Sequence, residues 1–387
     1  MVKAEFSWPV VGVIIPSLLI AGCGYGIYFF VLVPYHTSKY QLVWFQFCIS
    51  MTWFSYYLAI TTNPGRPAKD YEPKEGEWRR WCVKCNAWKP ERTHHCKQCK
   101  QCVLQMDHHC PWTYNCVGHN NLPHFIRFLL WVDITSGYGF YQLILRAIDL
   151  YRSRNLPAYM IPTSQIVATI VLTPLVFFVL FTVSLLTLRV FINLFNGQTQ
   201  IEAWEIERIE TLVRHRLVRN VDFPYDIDPF VNIVNGWGHP VTWLWPFGHA
   251  PGDGMHFEKN EAADGGAVWP PDHVDQNPPD PDADPHEPTY TTMTTYTRAM
   301  QSSSSRSRSR TPSGSEVPEW RRNFTAESDF YRPDQWENYE GERLEDFGVD
   351  LDTIGPRPLN PTERNDRYGS DEEEDPSENI PLSRYVR

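Results

Sequence analysis

The sequence predicts an all-α integral membrane protein, and three observations carry that prediction. Four apolar runs, residues 10–33, 42–60, 125–145 and 166–188, have the length a helix needs to cross a hydrocarbon core of ~30 Å at ~1.5 Å per residue. Between the second and third runs lies a polar loop that holds seven of the nine cysteines, interleaved with histidines. From residue 251 on, 30 acidic residues face 14 basic ones and half of the 32 prolines are found, so the tail accounts for the chain's net negative charge. The organisation that follows is two spans in 1–60, a cytosolic cysteine-rich domain in 61–124, two further spans in 125–192, a membrane-associated segment in 193–250 and a disordered acidic tail in 251–387.

The first run carries no charge and lacks the basic start of a signal peptide, because Lys3 is the only basic residue before it and Glu5 follows. Gly22 and Gly26, four apart, are placed for a close helix contact. Trp44, Trp53, Tyr56 and Tyr57 give the second run the aromatic character of a membrane interface. Cys23 and Cys48 fall inside the spans and read as small buried hydrophobes. In the third run, Arg127 is expected to reach back to the head groups. Asp133 lies deeper and needs a polar partner, while Pro174 is placed to kink the fourth run. Beyond it, Trp204, Ile206, Ile209, Leu212, Val213 and Leu217 recur at helical spacing among charges, the pattern of an amphipathic surface helix. The tail is too poor in aliphatic residues to fold alone; its Ser/Arg repeat at 302–310 and acidic block at 371–375 read as solvated segments.

The chemistry concentrates between Cys82 and His124. Cysteines in Cys-x2-Cys spacing with adjacent histidines are ligands for a tetrahedral zinc ion, and two closed sites require eight ligands. Six cysteines and two histidines make eight, which leaves one thiol over. The candidate is Cys110, which follows Asp107, His108 and His109 and lies outside any Cys-x2-Cys pair. A thiol beside an imidazole that a carboxylate orients becomes a nucleophilic thiolate near neutral pH. Pro111 biases Cys110 to extended backbone, so His108, two residues back, projects to the same side as the sulfur. An odd thiol count beside this run argues for reduced cysteines and a cytosolic loop rather than a disulfide framework. Without a strongly basic domain, nucleic-acid binding is excluded as the loop's role.

The spacing resembles the cysteine-rich domain of the DHHC-type protein S-acyltransferases, the palmitoyltransferases. Cys82, Cys85, Lys89, Pro90, Arg92, His95, Cys96, Cys99, Cys102, the run Asp107 to Cys110, Cys116, Asn121 and Phe125 match that family's fixed positions. The resemblance implies one zinc on Cys82, Cys85, His95 and Cys102, and a second on Cys96, Cys99, His109 and Cys116. It further implies a Cys110 acyl-enzyme, with His108 as base and Asp107 as its orienting group, that moves a long-chain acyl group from palmitoyl-CoA to cysteines of membrane and secretory-pathway proteins. Lys89, Arg92 and Trp112 are the expected acyl-CoA contacts, although the two basic residues serve equally to brace the zinc loop. A small-residue section at Thr135, Ser136, Gly137 and Gly139 suits either helix packing or an acyl cavity. Asn63 replaces the acid of the family's Asp-Pro-Gly motif, and Gln200 the second threonine of its Thr-Thr-x-Glu motif. Among family members the chain most resembles fungal endoplasmic-reticulum enzymes, with both termini cytosolic; the Golgi membrane is the alternative. The competing function is a non-catalytic zinc-binding membrane adaptor, against which the intact Asp107, His108 and Cys110 weigh.

Overall fold

The computed structural model describes residues 8–35, 38–68, 71–74, 80–155, 162–214, 222–260, 269–270, 336–351 and 354–355. All four apolar runs fall on helices. Helix α1, Trp8–Leu19, continues through two wider-turned stretches, Ile20–Tyr25 and Tyr28–Leu32. Helix α2, Lys39–Thr61, opens at Ser38, whose N–H is met by the Gln41 side chain. Helix α3, Leu122–Arg152, and α4, Thr163–Phe195, complete the bundle, with Pro174 inside an unbroken α4. Two of these stretches, Val11–Leu32 and Thr163–Phe195, are apolar enough as well as long enough to cross a membrane.

One apolar core, with Ile27, Phe45, Ile49, Leu143 and Val176, lies where all four helices meet. Gly24 and Gly26 bring α1 against Ile49 and Leu172, whereas Gly22, expected to make such a contact, meets nothing. Asp133 on α3 finds its polar partners on α4, accepting hydrogen bonds from Ser184 (3.0 Å) and Thr187 (2.6 Å). Arg127 does not snorkel. It is fully buried, and donates to the carbonyls of Thr242 and Gly248, pinning residues 238–250 to the base of α3.

Three short antiparallel hairpins form the loop between α2 and α3: β1, Arg80–Cys82, with β2, Ala87–Lys89; β3, His94–Cys96, with β4, Gln101–Val103; and β5, His108–Cys110, with β6, Asn115–Val117. Each returns through a residue in left-handed backbone, Asn86, Lys100 or Tyr114, placed just before its second strand. Such short strands cannot hold themselves together by backbone bonds alone. Contacts with α2 and with the chain after α4 fix them instead. At the entry, Asn63 accepts from the Gly65 N–H, a turn that an asparagine closes as well as an acid does, and Leu104 N–H donates to Gly65.

After α4, α5 spans Gln200–Arg214 and α6 spans Pro229–Trp237. Thr199 and Glu202 cap α5 reciprocally: the Thr199 hydroxyl accepts from Glu202 N–H and the Glu202 carboxylate from Thr199 N–H. That exchange is a physical reason for Thr-x-x-Glu at this position. Leu217, expected on the same helix, lies outside the described residues.

The reading of residues 251–387 as disordered does not hold for residues 251–260, 269–270, 336–351 and 354–355, of which Phe257 packs under Arg92 and Trp269 against Phe223. Trp336, Leu344, Phe347 and Val349 are buried against Cys96, Val103, Met106, Ile201 and Trp204. Strand β7, Ile354–Gly355, adds to the β1 edge. The tail's low aliphatic content gave no sign of this because residues 336–351 supply only part of a core and borrow the rest from the hairpins and α5. The Ser/Arg repeat and the acidic block lie outside the described residues.

Candidate active site

The first two hairpins each begin with a Cys-x2-Cys turn in which the second cysteine's N–H donates to the first sulfur: Cys85 to Cys82 at 3.4 Å, and Cys99 to Cys96 at 3.3 Å. Successive residues of a strand point to opposite faces. His95 and Cys96, adjacent on β3, therefore separate into different clusters, and so divide the loop between two sites. One cluster is Cys82, Cys85, His95 and Cys102, the other Cys96, Cys99, His109 and Cys116, each with its ligand atoms within 4.8 Å of one another.

These donor sets fit zinc. Bond lengths of ~2.3 Å to sulfur and ~2.0 Å to nitrogen at tetrahedral angles require S···N edges of ~3.6 Å. The sulfurs stand 3.4, 3.2 and 3.8 Å from His95 Nδ1 in the first cluster. In the second, the corresponding distances from His109 Nδ1 are 3.6, 3.4 and 3.6 Å. All nine cysteines are free thiols.

The third hairpin repeats the plan with one change. Cys110 occupies the first-cysteine position, and three residues later Thr113 stands where Cys85 and Cys99 stand in the others. The turn keeps its thiol-stabilising geometry without the second metal ligand. Cys110 is 3% exposed, packed among Val117, Leu122, Phe125, Ile126 and Leu129 at the junction of the loop with α3. Burial by itself pushes its thiol pKa up, but hydrogen bonding and charge from His108, with smaller help from Thr113, bring it below its ordinary value. Burial also disfavours the charged His108 ring, and the Asp107 carboxylate and Cys110 outweigh it, raising its pKa to about 10. Both shifts act in the direction of a thiolate–imidazolium pair.

Helices α5, α3, α2 and α1 all bear on the strand that carries these side chains and the turn after it. His108 Nδ1 is 2.8 Å from Asp107 Oδ2, and the other oxygen, Oδ1, accepts from the Gln200 N–H at 2.6 Å. The N-terminus of α5 thus points at Asp107, where its dipole favours the carboxylate. Phe125, at the start of α3, sets its ring edge to face with His108 at 5.5 Å. Asn121 takes the Gly118 N–H and donates to the Cys116 carbonyl, clamping the exit of β6. On the membrane side, the Tyr56 hydroxyl donates to the Trp112 carbonyl at 2.7 Å, and Gly12 comes so near the Pro111 carbonyl that a side chain would collide.

A cavity of about 540 Å³ opens on the Asp107 and His108 side of the site, and Cys110 is not among the residues that line it. Asp107, His108 and Arg92 line its polar side, and Leu122, Ile126, Val190 and Leu194 its apolar side. Of the three expected acyl-CoA contacts, only Arg92 reaches this wall, and its charge is already taken. Its guanidinium donates twice to Glu202, at 2.6 and 2.5 Å, and stacks under Tyr225 and Phe257. Lys89 is buried beside Cys82 and Cys102. The Trp112 side chain is half exposed and does not line the cavity. Thr113, the Gln200 N–H and the Glu202 partnership with Arg92 were not anticipated. No sequence signal marked Thr113 before the three turns could be compared; the Thr-x-x-Glu capping pattern was the available signal for the Gln200 N–H.

A buried thiol beside a carboxylate-oriented imidazole, on hairpins whose cysteines and histidines could hold two metal ions and packed against apolar helices, is an arrangement suited to a membrane-associated cysteine acyltransferase. Residues 75–207 match the DHHC palmitoyltransferase family model. The chain is 45% identical over 351 residues to Palmitoyltransferase PFA4 of Yarrowia lipolytica, covering 89% of this chain and 98% of the relative. It is 38% identical over 389 residues to Palmitoyltransferase PFA4 of Saccharomyces cerevisiae, covering 90% and 99%. To Palmitoyltransferase pfa4 of Aspergillus fumigatus it is 34% identical over 384 residues, covering 84% and 87%. The chain belongs to the DHHC palmitoyltransferase family and is a protein S-acyltransferase.

Proposed function

We propose that Cys110 is the acyl-carrying nucleophile, that His108 moves the proton and that Asp107 orients it, with palmitoyl-CoA as donor. The observation that carries this reading is the hydrogen-bonded line from the α5 N-terminus through Asp107 to the His108 ring, which stands two residues from Cys110 and lowers its thiol pKa. The Cys110 thiolate attacks the thioester carbonyl, forming a new C–S bond. As the tetrahedral centre collapses, the bond to the CoA sulfur breaks and that sulfur takes the His108 proton, leaving as CoA thiol. A protein cysteine then gives its proton to His108 and attacks the acyl-Cys110 carbonyl. Cys110 leaves as the thiolate, and the starting pair is regenerated.

Two zinc ions on the two clusters would be structural, since each cluster supplies all four ligands. The neutralised Arg92 and the buried Lys89 then brace the zinc loop rather than wait for CoA phosphates. The apolar surface around Cys110 receives the start of the acyl chain. A narrow cleft between the helices, lined by Cys23, Gly24, Thr52, Thr135 and Ser136, offers it a deeper path. All four apolar runs are read as spans, with the loop and both termini in the cytosol. The endoplasmic-reticulum membrane is the first location to examine, on the resemblance to fungal members, and the Golgi the second. The substrates on this reading are membrane and secretory-pathway proteins with cytosolic cysteines. Purified protein given labelled palmitoyl-CoA should acquire a hydroxylamine-sensitive label that Cys110→Ala abolishes; label persisting in that variant would refute the assignment.

A further inference from the structure

The family domain ends near residue 207, yet residues 336–351 and 354–355, more than 120 positions further on, lie against both metal clusters. The contacts fall on the ligand residues themselves. Phe347 O accepts from the His109 N–H at 2.8 Å, Val349 bridges to Cys96, and Asp350 N–H donates to the His95 carbonyl at 2.8 Å. Strand β7 pairs with β1 at Cys82. Gly348 crosses the second cluster in left-handed backbone (φ +85°), so near that a side chain there would collide with His109.

Side chains anchor the same segment at both ends. Trp336 packs edge to face on Trp204 at 4.8 Å, and the Trp204 indole N–H donates to the Glu342 carbonyl. Arg189 of α4, whose Nε holds Gln200, pairs with Glu340 and Glu342, while Lys84 of the first hairpin turn pairs with Asp350. The acidic charge of this stretch therefore answers the basic charge of the loop and of the α4 end. Glu342, Asp346 and Phe347 also line the cavity that holds Asp107 and His108.

We propose that residues 336–355 are a C-terminal strap that positions the catalytic strand and retains both metals. It acts through His109, the residue between His108 and Cys110: fixing the His109 backbone fixes the direction of its two neighbours. The proposal rests on the reading of the two clusters as zinc sites and of Cys110 as the nucleophile. It makes three side chains far outside the family domain, Trp336, Leu344 and Phe347, part of what the acyl transfer requires.

The test compares the full chain with its Trp336→Ala/Leu344→Ala/Phe347→Ala variant, following zinc release to a chelator and acyl-enzyme formation, each with and without a synthetic peptide of residues 336–355. The variant should release zinc about tenfold faster or more, on the usual scale of residues that support metal ligands, and form acyl-enzyme more slowly; the peptide should restore both rates. Equal rates in variant and parent would overturn the proposal, as would a defect that excess peptide leaves unchanged. A second measurement does not depend on how the variant folds. A protease site placed between Ser315 and Glu316 of the otherwise unaltered chain is cut after purification, and the released fragment should co-elute with the membrane portion; separation would overturn the strap. Failure of the underlying reading would look different, because the parent chain itself would then hold no zinc or form no acyl-enzyme.

Discussion

Cys110 and Thr113 repeat the spacing of Cys82 with Cys85 and of Cys96 with Cys99, so the reactive thiol stands on a turn built like the two metal-holding ones. Its second ligand is exchanged for a hydroxyl, and the sulfur is thereby left uncommitted. The Thr113 hydroxyl helps hold the thiol pKa down. Thr113→Val should keep both zincs while slowing acyl-enzyme formation about tenfold, the effect of ~1.5 kcal/mol for a hydrogen bond to a charged group. Stopped-time labelling with metal analysis checks both halves. Cys110 was legible in the sequence because it lies outside the Cys-x2-Cys pairs and directly follows Asp107, His108 and His109. Thr113 was not, because a threonine three residues on from a cysteine carries no signal until the three turns are superimposed as one plan.

Helix α5 acts on the site through a backbone group, which explains why Gln200 can replace the family's threonine. Its N–H meets Asp107 whatever the side chain, and its own carboxamide oxygen accepts from Arg189 and Asn193 of α4. Gln200 is the first residue of the helix, a position that tolerates proline. Gln200→Pro should therefore leave α5 folded, remove the donor to Asp107 and slow acyl-enzyme formation by ~10-fold or more, whereas Gln200→Thr should stay near the parent rate. Equal rates for the two variants would remove α5 from the account. One turn further along, Glu202 holds the buried Arg92. Breaking a buried ion pair from one side leaves an uncompensated charge and costs about 3–5 kcal/mol. Glu202→Ala should accordingly lower the thermal midpoint sharply in a melting curve. Glu202→Gln/Arg92→Met, which removes both charges, should recover part of the loss.

Across the whole molecule, the four bundle helices, the two ligand clusters and the amphipathic α5 were legible because their signals are local: apolar length for the bundle, ligand spacing for the clusters and helical periodicity for α5. The three hairpins that carry the ligands were not foreseen in an all-α reading. The rest of what was not legible is long-range. The carbonyls that bury Arg127 lie some 115 residues away, the polar partners of Asp133 sit on another helix, and the strap meets its hairpins across more than 200 positions. Hydrophobic content measured along the chain is blind to a segment whose core is completed from elsewhere. The proposed four-span topology makes its own prediction at this scale. Asn323-Phe324-Thr325 is a glycosylation acceptor sequence outside the described residues. If the tail is cytosolic, the protein should show no glycosidase-sensitive mass shift, and a shift abolished by Asn323→Gln would refute that topology.

The account's central claim is that one three-residue strand divides between metal and chemistry, His109 turning to a zinc and His108 to Cys110. Metal analysis of two single variants tests it most directly. His108→Ala removes the proton carrier and leaves every ligand in place, so it should retain two zincs per chain while forming acyl-enzyme ~10²-fold more slowly. His109→Ala opens the second cluster, whose binding free energy is part of the folding free energy, and should retain about one zinc. Two zincs in His109→Ala and about one in His108→Ala would contradict the account.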